Sequence, residues 1–240
     1  MKTYIYGKNA ANNALSNNKT ISKVFLSDSY NDKLTSRLLK EKNFTVKKMT
    51  NDELNKLVGK VNHQGIVIEC EDYQYLTIEE LISSLKDVQY PCIALLDQIE
   101  DPHNFGAIIR SGDALGIDGY IILDRRQVQV TSVVSHVSTG AIEYAKIARV
   151  NNLNKAMETL KENGYWVVAS DGSASVDYRE VDYKMKTVLI IGSEGKGISQ
   201  LLLKNSDFVT KIPMVGHVNS FNASVAAALY FAAVYDSKHR

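Results

Sequence analysis

The chain has 240 residues, 45% apolar and 23% charged, with a formal net charge of +1, which is the usage of a globular protein large enough for one sizeable domain or two small ones. No apolar run approaches the ~20 residues that cross a membrane, and Met1-Lys-Thr-Tyr-Ile-Tyr-Gly7 lacks the apolar core and cleavage site of a signal peptide, so a cytoplasmic protein is expected. The net charge hides an asymmetry, because residues 1–60 carry 12 Lys and Arg against 5 Asp and Glu, a balance that fits either a polyanionic partner or a lysine-rich solvated surface.

Residues 1–74 read as a small α/β domain. Ile21–Ser27 has a strand pattern, and Asp32 is placed to cap a helix over 33–41. Residues 44–49 alternate as a half-buried strand. Thr50 and Glu53 have the spacing of a capping box that opens a helix through Val58. Val61–Gly65 is a turn, and Ile66–Cys70 a strand. Residues 75–90 read as a linker, with a second capping box at Thr77 and Glu80 leading into an amphipathic helix. Pro91 marks the restart.

From 91 to 240 strands and helices alternate. Strands are expected at 92–96, 119–123, 166–169, 188–191 and 208–212, and helices at 104–115, 133–140, 153–163 and 223–235. Such alternation argues a mostly parallel sheet with helices on both faces. The last helix, Val225-Ala-Ala-Ala-Leu-Tyr-Phe-Ala-Ala-Val-Tyr235, is apolar around its whole circumference. It is expected to be buried on all sides, in a core or against another subunit. Its alanines would let a second helix approach closely, so a homodimer interface is expected there.

Three stretches couple an apolar strand to a turn rich in Gly, Asn, Ser or Pro, the kind of junction where backbone groups of an α/β protein face a ligand. The first runs from Leu95 to Gly116. Within it Asn104 is placed as a helix N-cap after Pro102, and Arg110 emerges beside the apolar Ile108 and Ile109. The second is Val188–Gly197, ending in Gly192-Ser-Glu-Gly-Lys-Gly197. Its spacing matches neither the phosphate loop nor the dinucleotide fingerprint. The third is Lys211–Val225, in which Ser220 or Asn222 would cap the last helix, a role compatible with ligand binding by the free amides of a helix start. The five histidines show no metal spacing, and neither Cys70 nor Cys92 supplies a partner motif. Both cysteines read as buried thiols of a reducing compartment.

Taken together, these stretches resemble the SpoU/TrmH family of RNA ribose 2′-O-methyltransferases of the SPOUT superfamily. The first motif, Asn-x-Gly-Ala-x-x-Arg, is carried by Asn104, Gly106, Ala107 and Arg110. The second, Gly-x-Glu-Gly-x-Gly, is carried by Gly192, Glu194, Gly195 and Gly197. The third is carried by Ile212-Pro-Met214, Gly216, Ser220, Asn222, Ser224 and Ala226. Residues 1–72 resemble the substrate-binding domain of the ribosomal-RNA branch, typified by the 23S rRNA guanosine methyltransferase, through Tyr6-Gly-Lys-Asn-Ala10 and His63-Gln-Gly65.

The resemblance implies a C-terminal α/β trefoil knot behind a smaller L30e-like α/β domain, and a homodimer. It implies S-adenosylmethionine as cofactor, held around Gly192, Ile212, Met214 and Phe221, and no metal. Arg110 would be the catalytic residue, with Asn104, Glu194, Ser220 and Asn222 around it. The implied reaction is methylation of a ribose 2′-hydroxyl in structured RNA, a guanosine of 23S rRNA first. The alternatives are a tRNA substrate or a non-catalytic RNA-binding assembly protein. This chain departs from the family pattern at Phe105 and Phe221, each replacing Leu, and at Ser111-Gly112, where Thr-Ala is common. Gly112 should weaken its helix by ~1 kcal/mol relative to Ala.

Overall fold

The computed structural model describes residues 3–16, 21–70 and 73–239; Met1 and Lys2 of the N-terminal stretch lie outside them. It divides into two compact units, one of residues 1–74 with 130–144, the other of 75–129 with 145–240.

The first unit is built on β1 (Thr3–Tyr6), α1 (Lys8–Ser16), β2 (Ile21–Ser27), α2 (Lys33–Lys42), β3 (Val46–Met49), α3 (Asn51–Val58) and β4 (Ile66–Cys70). Its four strands run in the order β1-β4-β2-β3. Pairing is antiparallel at β1–β4 and β4–β2, and parallel at β2–β3. Asp32 caps α2 by accepting from the Thr35 amide, and Thr50 and Glu53 form the expected capping box. β1 and α1 carry no clear signal in the sequence, because alternation over four residues is too short to mark a strand and α1 is rich in Asn. Ala11, Ala14 and Leu15 of α1 nevertheless pack fully buried against Ile5, Val24 and Ile68.

Residues 130–144 also pack with this unit. Their helix, α6 (Ser132–Val137), brings His136 over Tyr6, with ring centroids 4.9 Å apart and stacked. Asn13 Nδ2 donates to the Thr139 carbonyl at 3.1 Å.

The second unit opens with α4 (Ile78–Ser84), begun by the expected capping box at Thr77 and Glu80. Leu81 and Leu85 sink into the main core, so the segment read as a linker packs with this unit. Then come β5 (Cys92–Asp97), α5 (Pro102–Ala114), β6 (Gly119–Leu123), β7 (Ile147–Val150), α7 (Leu153–Glu162), β8 (Trp166–Ser170), β9 (Val176–Asp177), β10 (Thr187–Gly192), α8 (Gln200–Lys204), β11 (Phe208–Lys211) and α9 (Ala223–His239). The seven strands run β7-β6-β5-β10-β8-β11-β9, and each pair is parallel. Ile93, Leu95, Ile121, Val167, Val188 and Ile190 share a core with α4, α7 and α8. Because side chains alternate along a strand, Ala94, Leu96, Tyr120, Leu189 and Ile191 face the other way, toward α5 and α9. Burying both faces explains why these strands read as continuous apolar runs.

One expectation is corrected and one is narrowed. The cap of α5 is Asp101, whose side chain accepts from the His103 amide with Pro102 in the first turn, and not Asn104. Proline is preorganised for the first helical position, and that signal should have moved the start upstream. Within the chain α9 is not buried all round. Ala223, Ala227, Tyr230, Phe231 and Val234 form one buried stripe, while Val225 and Tyr235 are 46% and 43% exposed.

Gly112 is buried where α5 crosses β6. A Cβ there would overlap the Tyr120 hydroxyl, which donates to the Ile109 carbonyl at 3.3 Å. Gly112→Ala is therefore expected to destabilise, by roughly 1–3 kcal/mol from overpacking, against the ~1 kcal/mol gain that helix propensity alone assigns. Urea unfolding of the two proteins decides the sign.

Burial pushes the Cys92 thiol from 9.0 to about 12, with Lys238 opposing and Asp118 adding to the shift. A folded value above the unfolded one means stability that is complete below pH 9 and lost as pH rises toward 12. Cys92→Ala should therefore flatten the fall in unfolding free energy across that window. In the wild type a thiol reagent at pH 8 should reach Cys92 no faster than the chain unfolds.

Candidate active site

β10 runs between β5 and β8 and ends at Gly192. The chain then turns back on itself, with Ser193 N donating to Gly197 O at 3.2 Å and Gly197 N to Ser193 O at 3.0 Å. A Cβ on Gly192 would overlap the backbone of Gly197. Gly195 and Gly197 have φ of 86° and 67°, the left-handed region that side chains disfavour. The glycines of the second motif are thus required by the closure of one tight turn. After the turn, Ser199 N donates to the buried Asp97 carboxylate at 2.8 Å, which ties the start of α8 to the end of β5.

This turn forms a wall of a cavity of about 360 Å³, which Ser170, Ile212, Met214, Ser220 and Phe221 also line. The main-chain groups of Ile212, Met214 and Phe221 have no hydrogen-bond partner among the described residues. Ser193 Oγ, on the same wall, is buried and has no hydrogen-bond partner among the described residues. Unpaired polar groups of this kind are ordinarily satisfied by a ligand or by water. A second cavity of about 250 Å³ adjoins the first across Ser193, Glu194 and Lys196, and brings in Gln98, Asp101 and Asn104. The two together form an apolar slot with free backbone groups beside a polar recess, an arrangement that holds a small amphiphilic molecule next to a second reactant.

Gly192, Ile212, Met214 and Phe221 all line the first cavity, as does Ser220. Glu194 borders both, and Asn104 lies in the second. Asn222 is the N-cap of α9, its Oδ1 accepting from the Ser224 amide at 2.9 Å. Its Nδ2 donates to Glu194 Oε2 at 3.3 Å, so the second and third motifs meet through this pair. Arg110 lines neither cavity. It is exposed on α5, and its side chain has no ion pair or hydrogen bond among the described residues.

Ser193, Lys196 and Ser170 also line the first cavity, and none of them is a defining position of the three motifs. Ser170 ends β8 on the carboxyl edge of a parallel sheet, where ligands of such folds bind, and that position was the available signal. Among the described residues no group of three or more His, Cys, Asp and Glu is gathered to hold a metal, and no helix is long and apolar enough to cross a membrane.

Residues 91–232 match the SpoU rRNA Methylase family, and residues 4–76 match the RNA 2′-O ribose methyltransferase substrate binding family. A relative from Staphylococcus haemolyticus, named as a TrmH family tRNA/rRNA methyltransferase, is 40% identical over 240 residues, covering 98% of this chain and 96% of its own. The Bacillus subtilis protein YacO, named likewise, is 38% identical over 240 residues, with 98% and 96% covered. Among solved structures, the SpoU methyltransferase AviRb of Streptomyces viridochromogenes, in complex with AdoMet, superposes with a TM-score of 0.85 at 21% identity. That match covers 99% of this chain and 91% of the other, and at such identity it speaks for the fold.

Proposed function

The chain belongs to the SpoU rRNA methylase family, and from that premise we propose that it methylates a ribose 2′-hydroxyl of structured RNA, a guanosine of 23S rRNA first, using S-adenosylmethionine. The observation that carries this reading is the paired cavity at the glycine turn, with free backbone groups in one part and Asn104, Glu194 and Lys196 in the other.

The residues present suit that cofactor. The apolar walls of Ile212, Met214 and Phe221 would hold an adenine ring, and their unpaired backbone groups would read its edge. When bound, S-adenosylmethionine supplies an electrophilic methyl group and a neutral thioether leaving group, so the protein's part is positioning and charge. Asn222 holds Glu194 at the mouth of the recess, while Asn104 in the recess and Ser220 on the wall of the adjoining slot orient the ribose. Arg110, always protonated, serves as a fixed cation that stabilises the oxyanion developing at the 2′-oxygen and grips the neighbouring phosphate.

Because Arg110 lies outside its own chain's cavities, we assign it to the site of a second copy. The exposed stripe of α9, Val225 and Tyr235 included, supports that dimer. Two buried free thiols support a reducing, cytoplasmic setting.

The deciding experiment is transfer of labelled methyl from S-adenosylmethionine to total RNA of a strain lacking the gene, followed by nuclease mapping. Label in large-subunit rRNA at a linkage resistant to ribonuclease and alkali is the expected result. Label on tRNA would overturn the substrate and keep the chemistry. Absence of label on free RNA and on ribosome precursors, with cofactor bound, would favour an assembly protein.

A further inference from the structure

The first unit contains an open cavity of about 550 Å³ that the reaction above does not use. Its walls come from Lys8 at the start of α1, Tyr30 after β2, Asn55 on α3, and the turn Asn62–Gln64 before β4.

Three observations describe what those walls offer. The side-chain amides of Asn55 and Asn62 have no hydrogen-bond partner among the described residues, while Gln64 Oε1 accepts from the Lys8 amide at 2.8 Å and keeps its NH₂ group free. His63 is only 7% exposed. Its Nδ1 accepts from the Gly65 amide at 3.0 Å, which assigns the ring hydrogen to Nε2, and Nε2 has no partner among the described residues. The Tyr30 ring is anchored by its hydroxyl, 2.8 Å from Thr35 Oγ1, and Lys8 Nζ stands 5.7 Å from the ring centroid.

Side-chain amides offer a donor and an acceptor each, which suits the edge of a heterocyclic base. A fixed aromatic ring offers a stacking surface, and a lysine beside it meets a phosphate. The space is that of a small-ligand site. The basic balance of residues 1–60 supplies long-range attraction for a polyanion. We propose that this cavity takes one unstacked nucleotide of the RNA, with its base against Tyr30, its edge read by Asn55, Asn62 and His63 Nε2, and its phosphate met by Lys8. The proposal rests on the RNA methyltransferase reading. It adds to that reading a place, on the first unit's own surface, where an RNA is selected by the identity of a base other than the methylated nucleotide.

The test uses the full chain with its cofactor site filled by S-adenosylhomocysteine. Each of the four ribonucleoside 5′-monophosphates is added at millimolar concentration, and backbone amide resonances are followed by NMR. Shifts at Lys8, Tyr30, Asn55 and residues 62–65, stronger for one or two bases than for the rest, are expected. They should persist in Tyr30→Phe, which keeps the ring, and vanish in a Tyr30→Leu variant that melts as the wild type does. No shift at these amides with any base would overturn the proposal.

Kinetics supply the second arm. With large-subunit rRNA as substrate, Tyr30→Leu and Asn62→Ala should each raise KM roughly tenfold, the loss of one base contact, and leave kcat within about twofold. Methyl transfer with KM unchanged in both variants would sink the nucleotide pocket while the proposed function stands. Mononucleotide shifts in a protein that methylates no RNA would sink the function while the pocket stands.

Discussion

Arg110→Ala is expected to remove methyl transfer while leaving the affinity for S-adenosylmethionine unchanged. Arg110 is exposed on α5 and lines neither cavity of its own chain, so truncating it takes nothing from the cofactor slot. The loss should appear in kcat, by roughly 10²–10³-fold for a charge that acts on the transition state. Calorimetry with S-adenosylhomocysteine checks the other half, and weak binding in a folded variant would remove the assignment. Arg110→Lys should restore little, since an ammonium cannot make the two parallel contacts that a guanidinium makes to a phosphate.

Whether Arg110 serves its own site or that of a second copy can be separated by mixing. Arg110→Ala is combined with a variant that has Arg110 and no cofactor binding. If the arginine acts across a dimer, each mixed dimer has one intact site, and about a quarter of wild-type activity returns on statistical exchange. If it acts within its own chain, none returns.

The second large effect is expected at Gly192. Alanine there would place a methyl group into the backbone of Gly197, and no side-chain rotamer relieves a clash with main chain. The turn must open, and the cavity wall opens with it. Roughly 2–3 kcal/mol of overpacking and strain should appear as a lowered melting temperature. Cofactor affinity should fall about a hundredfold if the slot loses a similar amount. Gly195→Ala is the graded control. Its φ is 86° but nothing lies within 4 Å of the added atom, so only left-handed strain of about 1–2 kcal/mol is expected. Equal effects at the two positions would show that backbone conformation rather than close approach sets the requirement.

Much of the candidate site was legible because its information is local. Gly192, Gly195 and Gly197 close one turn within six residues. Ile212, Met214, Ser220 and Phe221 lie within ten residues of one another and line the same cavity. The two capping boxes were legible for the same reason, since each satisfies its hydrogen bonds within four residues.

Where local signals compete, the sequence does not decide between them. Asn104 and Asp101 are both good caps, and the choice fell to Asp101 because Pro102 fits the first helical position. Gly112 looked like a defect in a helix, since its reason, the Tyr120 hydroxyl, sits on the next strand. The composition of α9 showed that the helix is apolar, and could not show that only one stripe of it meets the chain's own core.

From its sequence alone this protein was determined to be an α/β chain with a basic first quarter and three glycine- and asparagine-rich junctions, because strand period, caps and turn chemistry are written within a few residues. Only the tertiary structure decided that residues 130–144 pack against β1, that Asn222 reaches Glu194, and that Arg110 stands outside both cavities. Those facts depend on which apolar faces find one another across tens of residues, and periodicity along the chain is blind to that choice.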